Sequence, residues 1–163
     1  MLMTSLFEKF PGIAQKETRS ITLIDDSNGV EEGKYTFLEF FCSDKKCDCR
    51  RVMVQVVNPT GHHMATLSYG WENLDFYLKW TYGHEESAHA MVGAQLYDFS
   101  PQTKHSLIFL EFFRALLRDS LYAARIQQHY HLFKSGHPSQ LRKPIMRNKY
   151  FQKNSASKIL GLN

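Results

Sequence analysis

Alternating apolar and polar positions predict strands in the first half of the chain. The segment RVMVQVV (51–57) alternates Val52, Val54 and Val56 with Met53 and Gln55, which is typical of a β-strand. The segments SITLID and HMATLSYG have a similar β-branched character and predict two further strands. The segment KYTFLEFFC places apolar side chains on both faces, which predicts a central strand covered on both sides. The polar loop DDSNGVEEG and the turn NPTG separate these strands.

A helical spacing of apolar residues replaces this alternation in the second half. WENLDFYLKW predicts one helix, ESAHAMVGAQL predicts a second and shorter one, and residues 4–10 predict a short helix near the N-terminus. The longest helical pattern is predicted to begin with Ser100 as its N-cap and Pro101 in the first helical position. It is predicted to end at Gly136, and Asp119 with Ser120 could divide it into two helices.

Strands followed by helices indicate an α+β fold. We expect an antiparallel meander of three to four strands, followed by helices packed on one face. Residues 1–136 are predicted to form a single domain with a cysteine loop at 42–49, and residues 137–163 a basic C-terminal tail.

The composition narrows the class of protein. Apolar residues make up 43% of the 163 residues and charged residues 22%, which is an ordinary globular balance. No apolar run approaches the roughly 20 residues that a membrane span needs. The first ten residues have neither a basic start nor a long apolar stretch. We therefore expect a soluble cytoplasmic protein with no membrane partner, in which thiols stay reduced.

Positive charge is concentrated at the C-terminal end. Residues 134–163 contain seven basic residues and no acidic one, so residues 1–133 carry a net charge of −3. These cations predict weak, salt-dependent binding to the phosphate backbone of a nucleic acid. Aromatic residues are interleaved with them and could stack on unpaired bases, so single-stranded nucleic acid or RNA is one variant of this prediction. The alternative is a solvated, flexible terminus that only aids solubility. The candidate nucleic-acid contacts are Arg142, Lys143, Arg147 and Lys149.

All three cysteines of the chain lie within CSDKKCDC, between two predicted strands. Cys42, Cys47 and Cys49 can converge on one ion around a tight turn, and Zn²⁺ prefers about four tetrahedral N or S ligands. The alternative is three partly buried cysteines in a hairpin loop, two of which become oxidised to a disulfide. Four nearby cations are expected to favour the thiolate form: Lys45, Lys46, Arg50 and Arg51.

Three cysteines require a fourth ligand, and the meander narrows the choice. The strand after residue 50 rises about 3.3 Å per residue, which places His62 and His63 roughly 25–30 Å from the cysteines. The next strand returns toward the cysteines, so that His84 and His89 come closer, and we predict His84 as the ligand. The local alternatives are Asp44, Asp48 or a water molecule.

Other motifs predict no catalytic site. HEESAH spaces its histidines five apart, whereas the HExxH motif of zinc proteases spaces them four apart on one helical face. His129 and His131 are two apart and fall on different faces of a helix, so a joint metal site is not expected. The chain has no GxSxG elbow and no glycine-rich phosphate loop.

The segments YTFLEFFCSDKKCDCRRV, ATLSYGW and YAARIQQHYHLFK resemble a group of uncharacterised bacterial proteins that carry a CDCRR-type motif. Such proteins often end in a SEC-C zinc motif, a CxC followed by a further cysteine pair. The resemblance covers residues 35–133, and the C-terminal segment YFQKNSASKILGLN departs from it because it contains no cysteine. It implies a soluble metal-binding protein of unknown role and brings no catalytic residue.

Two functional hypotheses follow from the sequence. The first is a non-enzymatic binding or adaptor module with a structural zinc site, whose partner is nucleic acid or another protein. The second is an enzyme that uses the metal or a thiolate for hydrolysis or redox chemistry. A closed four-ligand site favours the first hypothesis, and an open position beside a general base favours the second.

Overall fold

A computed structural model of the protein describes residues 2–26 and 29–136. Within these ranges, six strands form one antiparallel sheet: β1 (Met3–Ser5), β2 (Arg19–Leu23), β3 (Gly33–Cys42), β4 (Arg51–Val57), β5 (His63–Gly70) and β6 (Gly93–Leu96). The helices are α1 (Leu6–Lys9), α2 (Pro11–Glu17), α3 (Leu74–Trp80), α4 (Glu85–His89), α5 (Ser106–Leu117) and α6 (Ser120–Ser135). The predicted α+β class is confirmed. No helix of the described ranges is long and apolar enough to cross a bilayer.

The central meander runs β3, β4, β5 in antiparallel order, as the alternation predicted. Phe37 lies opposite Val56 and Glu39 opposite Val54, so the core face of each strand is continuous across the sheet. Strands β1 and β2 both pair with β3, β1 near its end at Cys42 and β2 near its start at Gly33. The sheet therefore has six strands rather than three or four, because short segments cover both edges of the meander.

The second predicted helix, ESAHAMVGAQL, was wrong in its second half. Only Glu85–His89 is helical, and Gly93 then turns the chain with a φ of +67° into β6. Strand β6 pairs with the outer edge of β5, where Leu96 lies opposite Leu67. Edge pairing supplies backbone hydrogen bonds that a helix could not supply to the unpaired edge of β5.

The predicted start of the long helix at Ser100 was also wrong, since α5 begins at Ser106. The intervening residues are held against β5 instead. The Gln102 side chain accepts from the Thr66 amide at 3.2 Å and donates to the Thr66 carbonyl at 2.8 Å. The Thr103 hydroxyl donates to the Met64 carbonyl at 2.6 Å. These tertiary hydrogen bonds override the local capping signal of Ser100 and Pro101.

Helices α5 and α6 pack on one face of the sheet through aromatic contacts. The rings of Phe37 and Phe113 lie 6.0 Å apart, and those of Phe41 and Phe133 lie 5.3 Å apart. Asp119 separates the two helices as predicted, and its carboxylate accepts from the Leu121 amide at 3.0 Å as the N-cap of α6. This break shifts the phase of the apolar stripe, and Leu121 is consequently 46% exposed.

The opposite face of β3 is only half-buried. Leu38 and Phe40 on that face are of intermediate exposure, whereas Phe37 and Phe41 on the helix side are fully buried. The expectation that helices or loops would cover both faces of this strand was therefore too strong. The helices gather on one side, as in many antiparallel sheets.

A buried histidine links the core face of β3 to helices α2 and α6. His129 Nδ1 lies 2.6 Å from Oε2 of Glu39, and its Nε2 lies 3.0 Å from Oε2 of Glu17. Arg125 Nε is 3.6 Å from the same Glu17 oxygen. Burial by itself lowers the pKa of His129, but hydrogen bonds to the two carboxylates and their negative charges outweigh it and raise the pKa to about 9. The imidazolium form is therefore the one that this site stabilises.

Candidate metal centre

The cysteines converge because a hairpin joins β3 to β4. Cys42 is the last residue of β3 and lies opposite Met3 of β1, while Cys49 stands just before β4. Between them, a tight turn is closed by the Cys47 amide, which donates to the Asp44 carbonyl at 3.2 Å. The Asp44 side chain also accepts from the Lys46 amide at 2.9 Å, an Asx turn that fixes the direction of the loop. The antiparallel pairing thus places all three cysteines at one end of the sheet.

The three sulfur atoms all lie within 4.8 Å of one another. A tetrahedral ion with Zn–S bonds of about 2.3 Å requires sulfurs about 3.8 Å apart, so shifts of less than about 1 Å would bring these three onto one ion. Cys42 is 1% exposed and Cys49 is 0% exposed, whereas Cys47 is of intermediate exposure. All three are free cysteines. The group could hold a metal ion, as the spacing predicted.

The surroundings of the cluster oppose charge on the isolated thiols. Burial, followed by the neighbouring Cys47 and Cys42, raises the pKa of Cys49 to about 12. Burial is also the main cause that raises the pKa of Cys47, followed by its interactions with Cys42. A bound divalent cation would reverse this preference, since metal ligation deprotonates a thiol outright.

The cation that reaches the cluster is Lys134 of α6, which the sequence did not indicate. Its ammonium donates to the carbonyls of Cys42 at 3.1 Å and Asp44 at 2.6 Å. Its positive charge acts to lower the pKa of both Cys47 and Cys49, against the larger effect of burial. The ammonium of Lys134 also lies 5.3 Å from the ring centroid of Tyr130, one helical turn earlier, which holds the lysine side chain on this face of α6.

Of the four cations predicted to favour the thiolates, the two arginines contact side chains other than the cysteines. Arg50 forms ion pairs with Asp48 at 2.9 Å and with Glu72 at 3.1 Å. The guanidinium of Arg51 lies 5.8 Å from the ring centroid of Tyr97. Lys45 and Lys46 are exposed at the tip of the loop.

The backbone at Arg50 is held in an unfavourable conformation. Its φ of +44° lies in the left-handed region, which costs a residue with a side chain about 1 kcal/mol or more. Two buried tyrosines fix the peptide: the Tyr77 hydroxyl donates to the Arg50 carbonyl at 2.8 Å, and the Arg50 amide donates to the Tyr130 hydroxyl at 3.4 Å. Strain of this kind persists only where the surroundings impose it. The strained residue lies between the fully buried Cys49 and Arg51, the first residue of β4.

Gly70, at the same end of the sheet, permits the close approach of Tyr77. A Cβ atom at this position would collide with the Tyr77 hydroxyl and with the carbonyl of Met91. The glycine is therefore required so that α3 can dock against the strand ends that carry the cysteine loop.

His84, the predicted fourth ligand, is not brought into the cluster. It is exposed and serves as the N-cap residue of α4, and among the described residues the grouped ligand atoms belong to the three cysteines alone. His89 is exposed as well. The chain does return to the cysteine end after β5, as predicted, but the contacts of that segment with the loop include those of Glu72 and Tyr77 with Arg50. His62 lies at the opposite turn, where its amide donates to the Asn58 side chain.

Cys47 also faces a cleft beside the cluster. This cleft has a volume of about 520 Å³ and lies between residues 45–50, the Trp71–Glu72 segment and helix α6. Cys47 is the cysteine that lines it. The cluster is therefore buried on the side of Cys42 and Cys49 and accessible on the side of Cys47.

Comparisons with known proteins add no functional assignment. No family model matches the chain, and neither a curated protein nor a solved structure matches it. The resemblance to proteins with a CDCRR-type motif stays a prediction. The tail contacts Arg142, Lys143, Arg147 and Lys149 lie outside the described residues.

Proposed function

We propose that this chain is a zinc-binding protein in which Cys42, Cys47 and Cys49 hold one Zn²⁺, and that it acts as a non-enzymatic binding or adaptor module. The observation that carries the proposal is the mutual approach of the three sulfurs within 4.8 Å at a hairpin end. Soft thiolate ligands favour Zn²⁺ or Cu⁺ over oxygen-preferring ions such as Mg²⁺ and Ca²⁺. Zinc is not redox-active and prefers tetrahedral coordination, of which the three converging thiolates would supply three of the four ligands.

A structural role for the ion fits the position of the loop. The ion would cross-link the end of β3 to the start of β4, and Lys134 ties the same loop to α6. Metal binding to such a site adds directly to the free energy of folding, because the unfolded chain does not present the three thiolates together.

Metal analysis of protein purified without added zinc tests the proposal. We expect one zinc per wild-type chain, and both lower zinc content and a lower melting temperature for Cys47→Ser. Cobalt substitution should give a thiolate-to-metal charge-transfer band that weakens in this variant. The proposal is refuted if the purified chain contains no stoichiometric metal and its three thiols titrate freely.

The variant His84→Ala serves as the comparison. The exposed position of His84 predicts wild-type zinc content for this variant. A clear fall in zinc affinity would instead support the sequence-based prediction of His84 as the fourth ligand.

The competing proposal is a metal- or thiolate-dependent enzyme, a hydrolase or a redox protein. The cleft at Cys47 supports it, because substrate could approach the cluster there. The thiolate version is opposed by burial, which raises the pKa of Cys47, whereas nucleophilic cysteines have a lowered pKa. Iodoacetamide alkylation of the metal-free protein at neutral pH distinguishes the two: rapid modification of Cys47 would favour the enzyme.

The basic tail supports a second proposal, weak contact with nucleic acid. Residues 137–163 contain six basic residues and no acidic one, so removing them leaves a body with a net charge of −2. Full-length protein should bind a labelled single-stranded oligonucleotide at low salt, and a chain truncated after Gly136 should not. Equal binding by both chains, or no binding by either, would mean that the tail is a solvated terminus only.

A further inference from the structure

The cleft beside the cysteines has the size of a small-molecule site. Its volume of about 520 Å³ falls within the range of roughly 300–1,000 Å³ that is usual for ligand pockets. Cys47 lines the cleft, whereas Cys42 and Cys49 are buried. A ligand that reaches a metal on the three sulfurs would therefore approach from the cleft.

The described part of the chain supplies three metal ligands at this point, whereas a tetrahedral ion has four. The ligand atoms that gather at this point belong to the three cysteines. The acidic side chains that line the cleft, Asp48 and Glu72, are both paired with Arg50. A zinc ion held by three protein ligands keeps a fourth position that water or another exchangeable ligand can take.

The charges on the cleft wall favour an anion. The formal charge of the group formed by Arg50, Asp48 and Glu72 is −1. The three lysines of the wall add +3, so that the net formal charge of the wall is +2. A divalent metal ion bound by three thiolates has a net charge of −1. One further monoanion on the metal would bring this net charge to −2, which equals in magnitude the charge of +2 on the cleft wall. The lysines of the wall are Lys45, Lys46 and Lys134.

Two aromatic residues on one side of the cleft offer a surface against which the apolar part of a ligand could pack. Trp71 packs edge-to-face on Tyr130, with ring centroids 5.2 Å apart and an interplanar angle of 76°. Both residues line the cleft, and Trp71 is only half-buried. Aromatic faces of this kind pack against flat, apolar groups.

We propose that the cleft binds a small organic monocarboxylate with an aromatic or apolar body, and that its carboxylate takes the fourth position on the metal held by Cys42, Cys47 and Cys49. This inference rests on the proposed zinc site. It makes the cluster a ligand-dependent binding site, since occupancy of the cleft and coordination at the metal are then one event.

The test uses the full chain loaded with Co²⁺, after metal stoichiometry has been measured, with benzoate as the probe and benzamide as its neutral isostere. Benzoate should change the d–d bands of the cobalt saturably, and benzamide should not. The variant Lys45→Gln/Lys46→Gln should raise the half-saturating benzoate concentration about fivefold, because exposed charges contribute only modestly. The matched control Lys16→Gln/Lys104→Gln removes the same charge from exposed positions outside the cleft and should leave it unchanged.

Three outcomes overturn the inference while the zinc site stands: stoichiometric metal with no response to benzoate, an equal response to benzamide, or equal weakening by the control variant. Benzoate binding that is as tight in the metal-free chain removes the coordination step and thus also contradicts the inference. A chain without stoichiometric metal overturns both the proposed function and this inference.

Discussion

Replacing His129 by leucine should destabilise the protein strongly, because Glu39 would then be buried without its cation. Among the described residues, Oε1 of Glu39 has no hydrogen-bond partner, and Oε2 is hydrogen-bonded to His129. Removing one member of a buried ion pair typically costs about 3–5 kcal/mol in the free energy of unfolding. The double variant His129→Leu/Glu39→Leu should recover most of that loss, since an apolar pair opposite Val54 leaves no buried charge.

The same pair makes the wild-type stability depend on pH. The pKa of His129 is about 9 in the folded protein and about 6.5 in an unfolded chain, a difference worth roughly 3 kcal/mol. Because the folded pKa is the higher one, this stabilisation is fully present below pH about 6.5. It is lost progressively as pH rises from there through about 9.

Urea unfolding at pH 6, 7.5 and 9, followed by circular dichroism, measures both effects. The double variant serves as the pH reference, because it lacks His129 and retains every other titrating group except Glu39. The variant His131→Leu is the matched control, since His131 is an exposed histidine on the same helix. The reasoning is refuted if wild-type and double variant lose stability in parallel between pH 6 and 9, or if the double variant is as unstable as His129→Leu.

Three further predictions concern single positions. Gly70→Ala should lower the free energy of unfolding, measured by urea titration, by more than about 2 kcal/mol, because the new Cβ collides with the docked Tyr77. The control Gly12→Ala has open space around its Cβ and should be neutral or slightly stabilising in the same titration. Arg50→Gly should be more stable than Arg50→Ala by about 1 kcal/mol, because both variants lose the ion pairs but only glycine accepts a φ of +44° without strain; equal thermal stability would contradict this. Asp119→Ala should lose about 1 kcal/mol through the missing N-cap of α6, and Asp119→Asn should retain most of the stability if capping rather than charge is the cause.

The sequence by itself determined the central strands and the convergence of the cysteines. Alternation in 51–57 and in the flanking strands depends only on the two-residue period of a β-strand, and a hairpin between neighbouring strands necessarily brings Cys42 and Cys49 together. Asp119 and Gly136 were also predictable, because an N-cap and a left-handed C-terminal residue act within one helical turn. These features are local, so their signals are contained in a few consecutive residues.

Only the tertiary structure decided the features that join distant segments. Strand β6 forms because β5 offers an unpaired edge, and α5 starts late because Gln102 and Thr103 bond to β5. The ammonium of Lys134 reaches the cysteine loop, and His129 reaches Glu39, across 90 residues of chain in each case. His84 is the exposed N-cap residue of α4, and the ligand atoms that gather among the described residues are those of the three cysteines. Such contacts depend on how elements pack, and no period or spacing within a single segment encodes them.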